Sequence, residues 1–132
     1  MKRFYFFVFG LFVISLTSCR VQNTSLVLQK TTVQRSLLKE YFLCVCITEG
    51  FKDEQITDKD ISQAIYFDIL QYSPEAIQIV RDSAVQFVGT IRPSPIIDLN
   101  NKRAIIMMSI EKYKSKELDR LVKSLDKFLI HD

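Results

Sequence analysis

Apolar residues recur along this chain in two ways: one near-unbroken run at the start, then stripes spaced three and four residues apart. The run is Phe4 to Val13, interrupted only by Gly10. The stripes begin near residue 33 and have the period of one face of an α-helix. Leu37, Leu38, Tyr41, Phe42, Val45 and Cys46 mark a first helix over about 33–50, capped by Thr31 or Thr32 and stopped at Gly50. Ile61, Ala64, Ile65, Asp68 and Ile69 mark a second over about 59–71, with Asp58 as its N-cap.

Ser73-Pro74-Glu75 is the sharpest local signal. Serine caps, proline fits the first helical position because its missing N–H costs nothing there, and glutamate suits the positive helix end. Ile77, Val80, Ala84, Phe87 and Val88 carry this third helix to Gly89. Residues 89–100 form the one substantial loop, biased to an extended course by Pro93 and Pro95. A fourth helix over about 101–113, capped by Asn100 or Asn101, has Ala104, Ile105 and Met108 on its face. Ser115 caps a fifth, whose stripe is Leu118, Leu121, Val122, Leu125, Phe128 and Leu129. The Ile-Ile pairs at 96–97 and 105–106 leave short strands open there. The pattern predicts an all-α domain, a compact bundle of about five helices with short connections.

The initial run belongs to a different kind of segment. Lys2 and Arg3 precede it, and Leu16-Thr17-Ser18-Cys19 closes it. A charged start, a short apolar stretch and small residues at a cut site are the layout of a secretory leader. Leu-Thr-Ser-Cys is similar to a bacterial lipobox, in which Cys19 is acylated and becomes the first mature residue. A spanning helix needs about 20 apolar residues, more than Phe4–Ser18 supplies. The expected organisation is a lipoprotein signal peptide at 1–18, a tether at 19–31 and a helical domain at 32–132. The expected location is the periplasm, lipid-anchored to a membrane.

Composition narrows the function classes. The chain has 18 basic and 15 acidic residues, but Lys2 and Arg3 lie in the leader, so the body is near neutral and nucleic acid is not an expected partner. No cofactor or metal is expected either. The only histidine is His131, at the fraying C-terminus. Cys44 and Cys46 have no histidine neighbour to activate them, and two residues apart on a helix they are badly placed to bridge. Asp53-Glu54 and Asp58-Lys59-Asp60 lack the spacing of a calcium loop. A binding protein, not an enzyme, is the expectation.

Two segments carry a family resemblance. Leu37-Leu38-Lys39-Glu40-Tyr41-Phe42-Leu43-Cys44-Val45-Cys46 resembles an opening helix in which Leu-Lys-acid-aromatic is followed by Leu and then Cys. Tyr113-Lys114-Ser115-Lys116-Glu117-Leu118-Asp119-Arg120-Leu121-Val122 resembles a closing Tyr-x-Ser-Lys-Glu-Leu-Asp-x-Leu-Val motif. Glu75-Ala76, opening a long helix, fits between them. The family is the type VI secretion amidase immunity proteins, the all-helical group that neutralises the fourth class of type VI amidase effectors. The chain departs from it once: Cys46 matches the helix-one cysteine, but the partner cysteine position holds Ser109.

The resemblance implies a homodimer that occludes the substrate cleft of a Cys-His peptidoglycan amidase. The inserting element is then the loop 89–100, with Arg92, Ser94 and Asp98 for polar contacts, Ile91, Ile96 and Ile97 for apolar ones, and Pro93 and Pro95 for stiffness. The outward side of the third helix, with Gln78 and Arg81, is a second candidate surface. Alternatives stay open: a plain connector with its isoleucines tucked onto the core, and a structural or assembly lipoprotein of the bacterial envelope.

Overall fold

A computed structural model describes residues 2–52, 56–99 and 101–130, with side chains from Leu26 onward. The chain divides into two compact units, 1–33 and 34–132. Among the described residues there are five α-helices and no named strand: α1 Lys2–Gly50, α2 Ser62–Ile69, α3 Pro74–Thr90, α4 Ile105–Tyr113 and α5 Lys116–Ser124. Single 3₁₀ turns sit at Ile56–Asp58, Ile97–Leu99 and Asp126–Phe128. The all-α architecture is the one the periodicity predicts.

In the first unit, α1 is already helical, so Thr31 and Thr32 do not begin it. Their hydroxyls donate to the Val27 and Leu28 carbonyls one turn back, at 3.0 and 2.8 Å. Such back-bonding is what threonine does inside a helix rather than at its cap. Leu26, Val27 and Leu28 are exposed. Among the described residues no helix is long and apolar enough to cross a membrane. The Cys19 side chain, Asp53-Glu54, Asn100 and His131 lie outside what is described.

The second unit holds the core. Leu38, Tyr41, Phe42, Val45 and Cys46 of α1 meet Ile77, Val80, Ala84 and Val88 of α3, Leu118 and Val122 of α5, and Leu125 just past its end. Each large apolar side chain fully removed from water contributes roughly 1.5–3 kcal/mol, so this three-helix seam dominates stability. The two serine caps predicted from sequence are present: Ser73 Oγ accepts from Ala76 N–H at 3.4 Å and Ser115 Oγ from Leu118 N–H at 3.1 Å. Past α5 the chain returns to the α2–α3 junction. Leu129 forms an antiparallel bridge with Tyr72, and Ile130 N–H donates to the Gln71 carbonyl at 2.8 Å. Gly50 ends α1 as expected. A Cβ there would collide with the Ile105 side chain, so the glycine lets α4 start against the end of α1.

Three local expectations are corrected. The second helix is Ser62–Ile69, not 59–71; Asp60 rather than Asp58 holds its start, accepting from Ser62 N–H and Oγ–H. Gly89 does not stop α3, which runs one residue further and closes at Ile91. The fourth helix begins at Ile105 with no side-chain cap; Asn101 is not its cap but a turn residue at φ 65°. Asparagine tolerates that left-handed conformation better than most side chains. The Ile-Ile pairs are not strands: Ile105-Ile106 opens α4, and Ile96-Ile97 leads into a 3₁₀ turn.

The largest departure concerns α2. Its apolar stripe reads as a core face, yet none of its residues is buried. Ile61 is 69% exposed, Ile65 50% and Ile69 44%. The helix lies on α1 through its other side. The Tyr66 hydroxyl donates to Glu40 at 3.0 Å, Gln63 donates to the Thr48 hydroxyl, and Gln34 Nε2 donates to the Ile69 carbonyl at 3.4 Å. Polar contacts therefore fix the orientation, and the isoleucines are left facing water.

Candidate functional site

Residues 91–104 form the connection between α3 and α4. It starts at a buried anchor. Ile91 N–H donates to the Val88 carbonyl at 3.1 Å, and its side chain is 7% exposed within the core. Ile91 is therefore unavailable to a partner, which corrects its assignment as a contact residue. Arg92, Pro93, Pro95 and Asp98 are exposed, and Ser94 is half-buried.

The loop bonds to itself. Ser94 N–H donates to the Lys102 carbonyl at 2.8 Å, closing the base. Within the tip, Ile96 N–H donates to Ser94 Oγ at 3.2 Å, Leu99 N–H to the Ile96 carbonyl at 3.0 Å and Lys102 N–H to the Leu99 carbonyl at 3.0 Å. With φ fixed at two prolines, the tip loses little freedom when it is held by a partner. Its isoleucines are not tucked away: Ile96 is 57% and Ile97 90% exposed. The plain-connector alternative fits Ile91 alone.

Gln78 and Arg81 are exposed on the outer side of α3, and Gln78 Nε2 donates to Asp82 Oδ1 at 2.7 Å. At 1.5 Å per residue Arg81 lies about 15 Å along the helix axis from Ile91. The two candidate surfaces are thus separate patches.

Nucleophilic chemistry finds little to work with. Cys44 and Cys46 are both free thiols. Cys46 is fully buried, and burial pushes its thiol up to about 12, against smaller opposing pulls from Ser109 and Lys112. The Ser109 hydroxyl, also fully buried, faces that thiol without a hydrogen bond of ordinary geometry. Ser109, at the position where the resemblance implies a second cysteine, thus sits against Cys46 with oxygen in place of sulfur. Burial also raises the Cys44 thiol, helped by Asp60 and Glu40. Thiols shifted in this direction are poor nucleophiles at neutral pH. Among the described residues no three His, Cys, Asp or Glu side chains gather as metal ligands.

A groove of about 430 Å³ opens between α3 and α5, floored by Phe42, Phe87, Leu118 and Leu121. Lys112 on its edge lies 5.4 Å from the Phe87 ring centre and pairs with Glu117 at 2.6 Å. Both charges are already matched, so the groove presents no free cation or carboxylate of its own.

Sequence reasoning missed one surface. Ile106, Met107 and Ile110 lie on the outward side of α4, each at least 39% exposed. Ile105, Ser109 and the partly buried Met108 face inward. The signal was present in Ile105-Ile106-Met107-Met108, four apolar residues in a row, more than one helix face can bury.

A family model described as type VI secretion system (T6SS) amidase immunity protein matches residues 36–122, two thirds of the chain, from the buried half of α1 through the loop into α5. No curated protein and no solved structure matches. The chain belongs to the type VI secretion amidase immunity family.

Proposed function

We propose that this immunity protein works in the periplasm, where it seats the loop 91–104 in the substrate cleft of a type VI peptidoglycan amidase. The observation that carries the reading is the loop itself: closed at its base by Ser94 and Lys102, stiffened by Pro93 and Pro95, and presenting Arg92, Ile96, Ile97 and Asp98 to solvent. Blocking a cleft needs shape and no reactive group, which suits a chain whose Cys44 and Cys46 thiols are held protonated. Gln78 and Arg81 on α3 supply a second contact patch.

Two further parts complete the proposal. The lipobox-like Leu16-Thr17-Ser18-Cys19 supports acylation of Cys19 and a membrane tether; more than one acyl chain gives stable anchoring. The outward stripe of α2 supports a homodimer, because Ile61, Ile65 and Ile69, one turn apart, make a self-complementary apolar ridge.

The test is inhibition. Protein mixed with a purified type VI peptidoglycan amidase is expected to stop cleavage of peptidoglycan fragments. Replacing residues 92–99 by a short Gly-Ser link is expected to abolish inhibition while far-ultraviolet circular dichroism stays unchanged. Full inhibition by the loop-replaced protein sinks the plug assignment.

A further inference from the structure

We propose that the amidase-binding surface extends from the loop tip onto the outward face of α4, and that it selects an apolar hollow on the enzyme rimmed by carboxylates. The inference rests on the amidase-binding reading above and adds the chemistry of the partner's surface.

Between residues 96 and 110, six large apolar side chains face solvent: Ile96, Ile97, Leu99, Ile106, Met107 and Ile110. Scattered exposed leucines and isoleucines are ordinary, but this density on one stretch marks an interaction surface. Charge gives the face a sign. Arg92, Lys102 and Arg103 are exposed beside it, against the single acid Asp98 in the same loop. Arg103 is lightly tethered, Nη2 donating to the Gly50 carbonyl at 3.4 Å, while among the described residues no such hold is seen on the Arg92 or Lys102 side chain. The tip is built in advance, with Asn101 in the left-handed region and the base closed by Ser94 and Lys102.

The other exposed stripe has the opposite surroundings. Next to Ile61, Ile65 and Ile69 in the chain, the exposed charges among the described residues are Asp58, Asp60 and Asp68 with Lys59. One partner surface cannot complement both stripes. The basic one includes the tip of the proposed plug and follows it directly in the chain, so it is assigned to the enzyme. Apolar anchors supply the affinity of such a face, and rim cations supply its association rate.

Binding of the full protein to the purified type VI amidase that it inhibits, followed by surface plasmon resonance at low and high salt, decides the matter. Met107→Glu is expected to weaken binding about tenfold or more, with Met107→Leu close to wild type and circular dichroism unchanged in both. Lys102→Glu is expected to slow association severalfold and to flatten its salt dependence. Wild-type affinity and salt dependence in Met107→Glu and Lys102→Glu overturn the extension while leaving the loop plug standing. If the wild-type protein neither binds nor inhibits, the amidase reading falls and this inference falls with it. If Met107→Glu loses only its affinity for phosphatidylglycerol vesicles and still binds the amidase normally, the face belongs to a lipid surface and the proposal is overturned.

Discussion

Helices α2 and α5 are similar in length, and each carries an apolar stripe of helical period, yet they end in opposite environments. In α5 the stripe is sealed: Leu118 is 1% exposed, Val122 2% and the following Leu125 3%. In α2 the stripe faces water, and the helix is held from behind by Tyr66, Gln63 and Gln34. The local ends differ too. Ser115 caps α5 with an oxygen on Leu118 N–H, whereas Ile61 at the start of α2 offers no side-chain cap. Hydrophobic periodicity thus says that a face will be covered and does not say by what. In α5 the cover is α1 and α3; in α2 a second copy of the chain is the cover proposed above.

The widest test of that contrast is truncation of one residue from each stripe. Leu118→Ala is expected to cost about 2–5 kcal/mol, because it removes transfer energy and leaves a cavity among packed side chains. Ile65→Ala is expected to stay within about 0.5 kcal/mol for the monomer, as surface changes do. Urea unfolding at low protein concentration measures both. Equal losses at the two positions break the comparison.

That contrast also shows where the sequence was legible. The faces of α1, α3 and α5 and the caps at Ser73 and Ser115 follow from spacing and short-range hydrogen bonding, which act within one turn. The ends of α2 and α4 did not follow, because Asp58 and Asp60 are equally good caps on paper and Asn100-Asn101 reads as a cap when Asn101 is a turn residue. The burial of Ile91 against the exposure of Ile96 and Ile97 was also hidden. Three isoleucines look alike in a string, and only the point where α3 stops decides which one falls onto the core. The prolines announced a stiff loop, but its closure depends on Ser94 meeting Lys102, a pairing that no local pattern encodes.

A staple on the buried side sharpens the comparison next. Ser109 on α4 and Cys46 on α1 are both fully buried and face each other. Ser109→Cys is expected to form a disulfide with Cys46 and to raise stability by about 2–4 kcal/mol, since it closes a long loop in the unfolded chain. Mass spectrometry under non-reducing conditions and urea midpoints check this. Hydrogen exchange should show the gain in α1, α4 and α5 while the amides of α2 still open readily. Uniform protection that includes α2 means the two helices belong to one cooperative unit after all.

A smaller effect probes the helix ends. Ser115→Ala removes the α5 cap and is expected to cost about 1 kcal/mol. Ser62→Ala, in the uncapped first turn of α2, is expected to cost less, because its hydroxyl serves only the exposed Asp60. Thermal melts of the two variants rank them. A larger loss at Ser62 reverses the proposed difference in how firmly the two helices are anchored.

The smallest effect is electrostatic and lies at the edge of α5. Lys112 holds the Glu117 carboxyl below its ordinary value through a hydrogen bond and charge attraction. A carboxylate whose folded pKa is depressed contributes stability that is fully present above its unfolded pKa, near 4.5, and is lost as pH falls through the lower folded value. Glu117 is exposed and screened by salt, so the contribution is slight. Glu117→Gln is therefore expected to melt slightly below wild type at neutral pH. The two curves should converge once the pH drops below the folded pKa, where the wild-type carboxyl is protonated as well. They should also draw together at neutral pH in high salt. A gap that persists in acid would mean that Glu117 holds α5 by packing rather than by charge. The contrast with α2 would then rest on more contacts at α5 than its buried stripe and serine cap.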